Sequence, residues 1–285
     1  MKCFLSHVLR IAAMGLALML AGLPASAQEF SDAQKAEVGK IIGEYLKENP
    51  EFIREYLLEN PEILLEVSDK LRALQIQQER ESAALAMTTL KEKLERHPMT
   101  PVTGNPEGDV TLIEFFDYNC TFCKRVLSTM KEIEEEDSNL RVVWKEYPIL
   151  TSRAPTSLTG AKVAMAANLQ GKYIEAHDAL MSVRGSLTSD AQILQIAEDI
   201  GLDMARLKKD MESHVVKAYI SETVKLGEAL KFQGTPTFVV NGAVIGGAVP
   251  KEVLVAVIAA ARAGALPPGE LTEQDMGLIV QKFGS

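Results

Sequence analysis

A chain of 285 residues with 47% apolar side chains has enough hydrophobic material for one large domain or two small ones with a true core. Its formal charge of −9, with no basic stripe along it, excludes nucleic acid as a natural partner.

The N-terminus carries Lys2 and Arg10, an apolar run from Ile11 to Leu23, and then Ala25-Ser26-Ala27. That pattern predicts a secretory signal peptide over 1–27, cleaved after a small-x-small motif, with Gln28 as the mature start. The apolar run is short for a membrane span of ~20 residues, which argues against an anchor. Cleavage removes Lys2, Arg10 and Cys3, taking the charge from −9 to −11. Cys120 and Cys123 are then the cysteines of an exported chain in an oxidising compartment.

Residues 28–97 read as a helical, charged arm. Tyr45-Leu46-Lys47-Glu48-Asn49-Pro50-Glu51 is echoed by Tyr56-Leu57-Leu58-Glu59-Asn60-Pro61-Glu62. Each Asn-Pro-Glu reads as an N-cap, a proline at the first helical position and an acid in the first turn. The residue before a proline avoids the helical region, so each Asn also ends the preceding helix. One long helix is predicted from about Pro61 to Arg96, roughly 50 Å at ~1.5 Å per residue. Leu64, Val67, Leu71 and Leu74 follow an a/d spacing that then fades. Self-association and a helix folded back on its own domain both fit; Phe52 and the tyrosines along one side favour an oligomerisation arm. A Pro/Gly-rich linker, His97 to Gly108, closes the segment.

Val110 to Phe116 is predicted as a buried strand, followed by a short polar turn and a helix that opens on Cys120-Thr121-Phe122-Cys123. A cysteine at a helix N-terminus faces unpaired N–H groups and the positive end of the dipole, which favour the thiolate. Cys123 lies one turn on, within disulfide reach. Half a zinc site has the same spacing, but no second cysteine pair or spaced histidine pair completes it, so redox chemistry is the better reading. A bridge across so short a loop would contribute little stability, which again favours chemistry.

A second strand follows from Leu140 to Tyr147, parallel to the first through a right-handed crossover. Helices are predicted over Ala161–Leu169, Tyr173–Met181, Ala191–Ile200 and Met204–Leu230, with stops at Gly171, Gly185 and Gly201. Thr237–Val240 and Ala243–Ile245 flank Asn241-Gly242, a strong hairpin signal. A last helix, Lys251 to Ala263, leaves 265–285 as a tail of low order.

Strand, helix, strand, helical insertion, hairpin and helix make an α/β thioredoxin fold with an inserted lobe at about 155–232, within a catalytic domain over 98–264. Phe115-Phe116-Asp117-Tyr118-Asn119-Cys120, Trp144-Lys145-Glu146-Tyr147-Pro148 and Gly234-Thr235-Pro236-Thr237-Phe238 resemble the DsbA-like thiol:disulfide oxidoreductases. Among these the chain is most similar to exported ScsC-type proteins, some of which carry an N-terminal trimerisation arm. The resemblance implies Cys120 as the attacking thiol and Cys123 as the resolving one. It implies a cis-proline at Pro236 after Thr235, facing a redox-active disulfide and, with Thr121 and Phe122, contacting substrate. Glu114 matches a buried acid that shuttles the Cys123 proton, its pKa raised. The alternative is an exposed strand-face glutamate. Lys145 matches a lysine near that acid, or is a surface lysine.

One departure matters. The classical oxidase has a histidine immediately before its second cysteine, where this chain has Phe122; a less stabilised thiolate and a weaker oxidant are expected. Thr235 before the proline also resembles the isomerases. The expected function is periplasmic disulfide isomerisation or reduction on exported proteins, by a trimer kept reduced by a DsbD/ScsB-like membrane reductase, without a resident cofactor or metal. The rivals are a DsbA-like dithiol oxidase and a copper-tolerance protein binding Cu(I) at Cys120 and Cys123. His97, His177 and His214 have no ligand spacing and are taken as structural or solvated.

Overall fold

The computed structural model describes residues 30–284; the leader expected over 1–27, with Cys3, lies outside the described residues. The chain forms two compact units that divide between Leu71 and Arg72.

The first unit holds α1 (Asp32–Glu48), α2 (Pro50–Glu59) and the start of α3 (Glu62–Glu95). Ser31 and Gln34 form a capping box that opens α1. The two Asn-Pro-Glu repeats break the helix as expected, with Asn49 at the N-cap position, Pro50 at the first helical position and Glu51 in the first turn of α2, but the asparagine side chains bond backwards instead of capping forwards. The Asn49 Nδ2 donates to the Tyr45 carbonyl at 2.8 Å, and the Asn60 Nδ2 donates to the Tyr56 carbonyl at 2.7 Å. Each asparagine thus closes the helix behind it, since the proline has fixed its backbone outside the helical region. No residue of α1 or α2 is buried, and Ile41, Ile42, Tyr45, Phe52, Tyr56 and Leu58 are exposed. Among the described residues these two helices therefore leave much of their apolar surface exposed.

The second unit is built on a six-stranded sheet in the order β1 (Val102–Gly104), β3 (Leu140–Glu146), β2 (Val110–Phe116), β4 (Thr237–Val240), β5 (Ala243–Gly246), β6 (Gly269–Glu270). β2 and β3 are parallel, joined by α4 (Thr121–Glu136), as the strand-helix-strand spacing requires. β4 and β5 form the expected hairpin, with Asn241 and Gly242 both at positive φ (47° and 85°).

One sheet face, carrying Leu112, Phe116, Val142 and Trp144, packs under α4 and α10 (Lys251–Arg262) and the lobe α5 (Thr156–Asn168), α6 (Tyr173–Met181), α7 (Asp190–Asp199) and α8 (Met204–Met211). The helix predicted over Met204–Leu230 is two, because Ser213 stops α8 and N-caps α9 (His214–Ala229) through the Val216 N–H.

The opposite face, Ile113, Phe115, Val143 and Val239, packs against Leu226 of α9 and against Met87 and Leu94 of α3. The latter half of α3, placed with the arm on sequence, therefore belongs to the second unit. Its end is held by two cations from β3. Lys145 donates from Nζ to the Lys93 carbonyl and the Thr100 hydroxyl, both at 2.8 Å, and Arg141 donates to the Glu95 carbonyl at 2.7 Å. Cations suit the negative end of a helix.

The C-terminal segment is also ordered, contrary to expectation. β6 pairs in parallel with β5, and α11 (Glu273–Phe283) opens on a Thr272/Asp275 capping box. Leu271 and Ile279 are buried, and Asp275 pairs with Arg80 of α3 at 2.6 Å. The Pro267-Pro268-Gly269 run is a turn into the sheet, not a frayed end. Among the described residues no helix is long and apolar enough to cross a membrane.

Gly227 of α9 has no room for a side chain, because a Cβ there would lie 2.6 Å from the Tyr147 ring. Gly227→Ala would gain up to ~1 kcal/mol of helix propensity, but the overlap costs about 1–3 kcal/mol. The expected net result is a lower urea midpoint; an unchanged or higher one would show that Tyr147 yields freely.

Candidate active site

The turn between β2 and α4 is fixed before any cysteine appears in it. Buried Asp117 accepts from the Asn119 N–H (2.8 Å), the Leu150 N–H (3.0 Å) and the Ser157 hydroxyl (2.8 Å). Asn119 donates to Ser157 and Thr156 of the lobe, and its Oδ1 accepts from the Leu187 N–H at 2.7 Å. An Asp-x-Asn turn is a local signal, and it could have been read from the sequence. The lobe partners lie 37–68 positions away and could not.

Tyr118, between these two, points into a buried polar cluster on the same face. Its hydroxyl donates to Glu146 Oε1 at 3.0 Å and meets His177 Nδ1 at 3.2 Å, while the Tyr173 hydroxyl also donates to Glu146 at 2.9 Å. Phe116, Trp144 and Tyr173 surround the His177 ring. Burial pushes the Glu146 carboxyl up to about 8, against the two tyrosine bonds, and pushes His177 down to about 3. His177 is therefore neutral, and its buried Nε2 has no partner among the described residues. His177 is structural, as expected, and sequence reading missed the cluster because its members come from the β2–α4 turn, β3 and α6.

Cys120 is the N-cap of α4 and 7% exposed, whereas Cys123 is 1% exposed; both are free thiols. Thr121 and Phe122 stand at the rim, with Phe122 52% exposed under the Arg125 guanidinium, 4.3 Å from its ring centre. The Thr235-Pro236 peptide is cis, and the Thr235 carbonyl lies 3.1 Å from the Cys120 sulfur, where it accepts from the thiol. The Cys120 thiol is drawn down to about 6 by the Cys123 hydrogen bond first, opposed by burial and assisted by Thr235 and the Cys123 and Phe122 N–H groups. Cys123 moves far above the ordinary thiol range, through burial, its hydrogen bond to Cys120 and the Glu114 charge. Glu114 is 2% exposed, and burial, then the Cys120 charge, holds its carboxyl well above the usual range.

Cys120, Cys123, Glu114, Thr235 and Pro236 thus converge. Lys145 does not. It pairs with Phe115 in the parallel register while Glu114 pairs with Trp144, so alternation puts Lys145 on the opposite face. There it is buried and pushed down to about 7 by burial and by Arg141, and it is neither near the acid nor on the surface.

Solved structures share this architecture. A thioredoxin-like oxidoreductase from Silicibacter pomeroyi DSS-3 is 41% identical, covering 61% of this chain and 98% of its own, with a TM-score of 0.58. Proteus mirabilis ScsC in a transitional conformation (21% identical, 84% of this chain and 100% of its own, TM-score 0.56) and Salmonella enterica Typhimurium BcfH (24%, 87% and 100%, 0.61) share the fold. A curated relative, "Na(+)/H(+) antiporter NhaA 1" of Salinispora arenicola, is 34% identical over 175 residues, 61% of this chain. The chain spans about a quarter of the length of the curated relatives it matches. Residues 51–78 match the copper resistance protein ScsC N-terminal domain. Residues 111–259, just over half of the chain, match the DSBA-like thioredoxin domain, and the chain belongs to this family.

Proposed function

We propose that the protein is a periplasmic thiol:disulfide interchange protein, acting through Cys120 and Cys123 as an isomerase and reductase of wrongly paired exported proteins. The observation that carries this is the asymmetry of the pair: Cys120 ionises near 6 at the rim, while buried Cys123 keeps its proton. The Cys120 thiolate attacks one sulfur of a substrate disulfide, forms a mixed disulfide and expels the other sulfur as a thiolate. A second substrate thiolate then displaces Cys120, which completes an isomerisation with no net electron transfer. In the reductive branch Cys123 attacks the Cys120 sulfur, giving its proton to Glu114, and the protein leaves oxidised while the substrate gains two thiols. A membrane reductase of the DsbD/ScsB kind would return those electrons.

The direction follows from the thiol. A value of about 6 lies between the about 3.5 of a strong oxidase and the about 7 of thioredoxin, so the reduced form is only moderately favoured. Beyond its backbone N–H, which is already one of the groups that lower it, Phe122 has no side-chain donor or charge to lower it further. The exposed apolar face of α1 and α2 supports self-association through the arm, as a trimer, which would set several active sites around one client.

The test is reactivation of a scrambled, multiply disulfide-bonded protein by the full mature chain and by a chain starting at Arg72. That boundary keeps Met87 and Leu94 on the sheet. Activity in the first and loss in the second is expected. If both only oxidise a reduced client, the isomerase reading fails and a dithiol oxidase replaces it.

The match to the copper resistance protein ScsC N-terminal domain favours one second reading, Cu(I) held between the two thiolates. It would require displacing the tightly held Cys123 proton. Tight one-to-one Cu(I) binding lost in Cys123→Ser would establish it.

A further inference from the structure

A groove of about 470 Å³ runs beside the cysteines, along α4 and against the loop that follows α6. Its floor includes Leu127 and Met181, and its rim carries four cations: Lys124, Arg125, Lys131 and Arg184. Two are already engaged. Lys124 donates to the Val183 and Gly185 carbonyls at 2.7 and 2.8 Å, which ties the loop to the helix, and Lys131 pairs with Asp178 at 2.7 Å. Arg125 and Arg184 are exposed, and neither belongs to an ion pair among the described residues. A chain with a net charge of −9 therefore keeps two unpaired cations in a groove that begins at Thr121, next to Cys120.

We propose that this groove receives an acidic segment of the substrate polypeptide, adjoining the cysteine that Cys120 engages; the proposal rests on the exchange function above. From Thr121 to Lys131 the helix rises ~15 Å, room for four or five extended residues at ~3.3 Å each. Cations spread along an open apolar floor suit a chain with several carboxylates, whereas a small anion would need donors that converge. The overall negative field steers basic peptides towards the molecule, so a preference for acidic ones must come from this groove.

The test uses the full-length reduced protein and three peptides, identical except for three Asp, three Ser or three Lys residues beside one cysteine. Each cysteine is carried as a mixed disulfide with thionitrobenzoate. Attack by Cys120 on the peptide sulfur releases the coloured aromatic thiolate, and Cys123 then frees the peptide thiol and leaves the protein disulfide. The acidic peptide should react about fivefold faster than the basic one at low salt, the scale that two or three exposed ion pairs support. The ratio should fall towards one in ~1 M salt, and the double variant R125E/R184E should invert it. Rates with 2-hydroxyethyl disulfide, measured on both proteins, normalise for any change in the thiol. A ratio at or below one in the unmodified protein, or one that R125E/R184E leaves in place, overturns the groove assignment alone. Failure of all three peptides to react overturns the exchange function with it.

Discussion

Cys120→Ser lowers disulfide exchange by about 10³-fold or more, because a hydroxyl in that place has neither the acidity nor the nucleophilicity of a thiolate. Cys123→Ser behaves differently: the first attack proceeds, the resolving thiol is absent, and the mixed disulfide accumulates as a covalent adduct visible by mass. Alkylation of the reduced protein separates the two sulfurs without mutation. Cys120 modification should rise with pH and reach half its plateau near 6, while Cys123 stays unmodified in the folded state. The sign for stability follows. Since the folded value of about 6 lies below the ordinary 9.0, the reduced fold gains stability as pH climbs between them and loses that gain as pH falls through about 6. The urea midpoint of the reduced protein, minus that of Cys120→Ser, should therefore be larger at pH 8 than at pH 5. A pH-independent difference, or alkylation that stays slow up to pH 9, would mean that the thiolate is not stabilised at the α4 N-terminus.

Glu114→Leu has opposite effects on stability and on rate. A carboxyl buried among Leu112, Phe116 and Cys123 carries a desolvation cost that a leucine of similar volume does not, so unfolding should become harder by about 1–3 kcal/mol. The same change removes the acceptor for the Cys123 proton. Resolution of the mixed disulfide should slow by about 10²-fold, the lower end of general acid–base contributions, while the first attack by Cys120 stays within a few-fold. Stopped-flow separation of the two steps and a denaturant titration check both halves. A loss of stability together with unchanged resolution would show that Glu114 is a packing residue with a hidden partner. Equal slowing of both steps would show a disturbed turn.

What could be read from the sequence was local. A run of β-branched and aromatic residues from Val110 to Phe116, two cysteines at the next helix start, and Asn241-Gly242 between apolar runs each contain their own geometry within a few residues. So did the Thr272-x-x-Asp275 capping box, which the preceding Pro-Pro-Gly run obscured. The rest depends on which strand lies beside which. Whether Lys145 shares a face with Glu114 is decided by the β2–β3 register, and one position separates a site lysine from one that holds the end of α3. The Asp117–Ser157 and Tyr118–Glu146–Tyr173 bonds join residues that only the folded lobe brings together. Likewise, the helical pattern from Pro61 to Arg96 gave the length of α3, but not the point at which its surroundings change from one compact unit to the other.

The two borders of the sheet bear on how such a molecule coexists with its clients. β1 and β6, the outermost strands, are three and two residues long, too short to template a sticky ladder with a passing chain. If the protein works among partly unfolded polypeptides, as proposed, whose own strands are still unpaired, it is thereby protected from co-aggregating with them. On the exchange function proposed above, the Thr235 backbone, beside the reactive sulfur, would be left as the place for an extended client to dock, so that a captured chain is held where it can be repaired and then released.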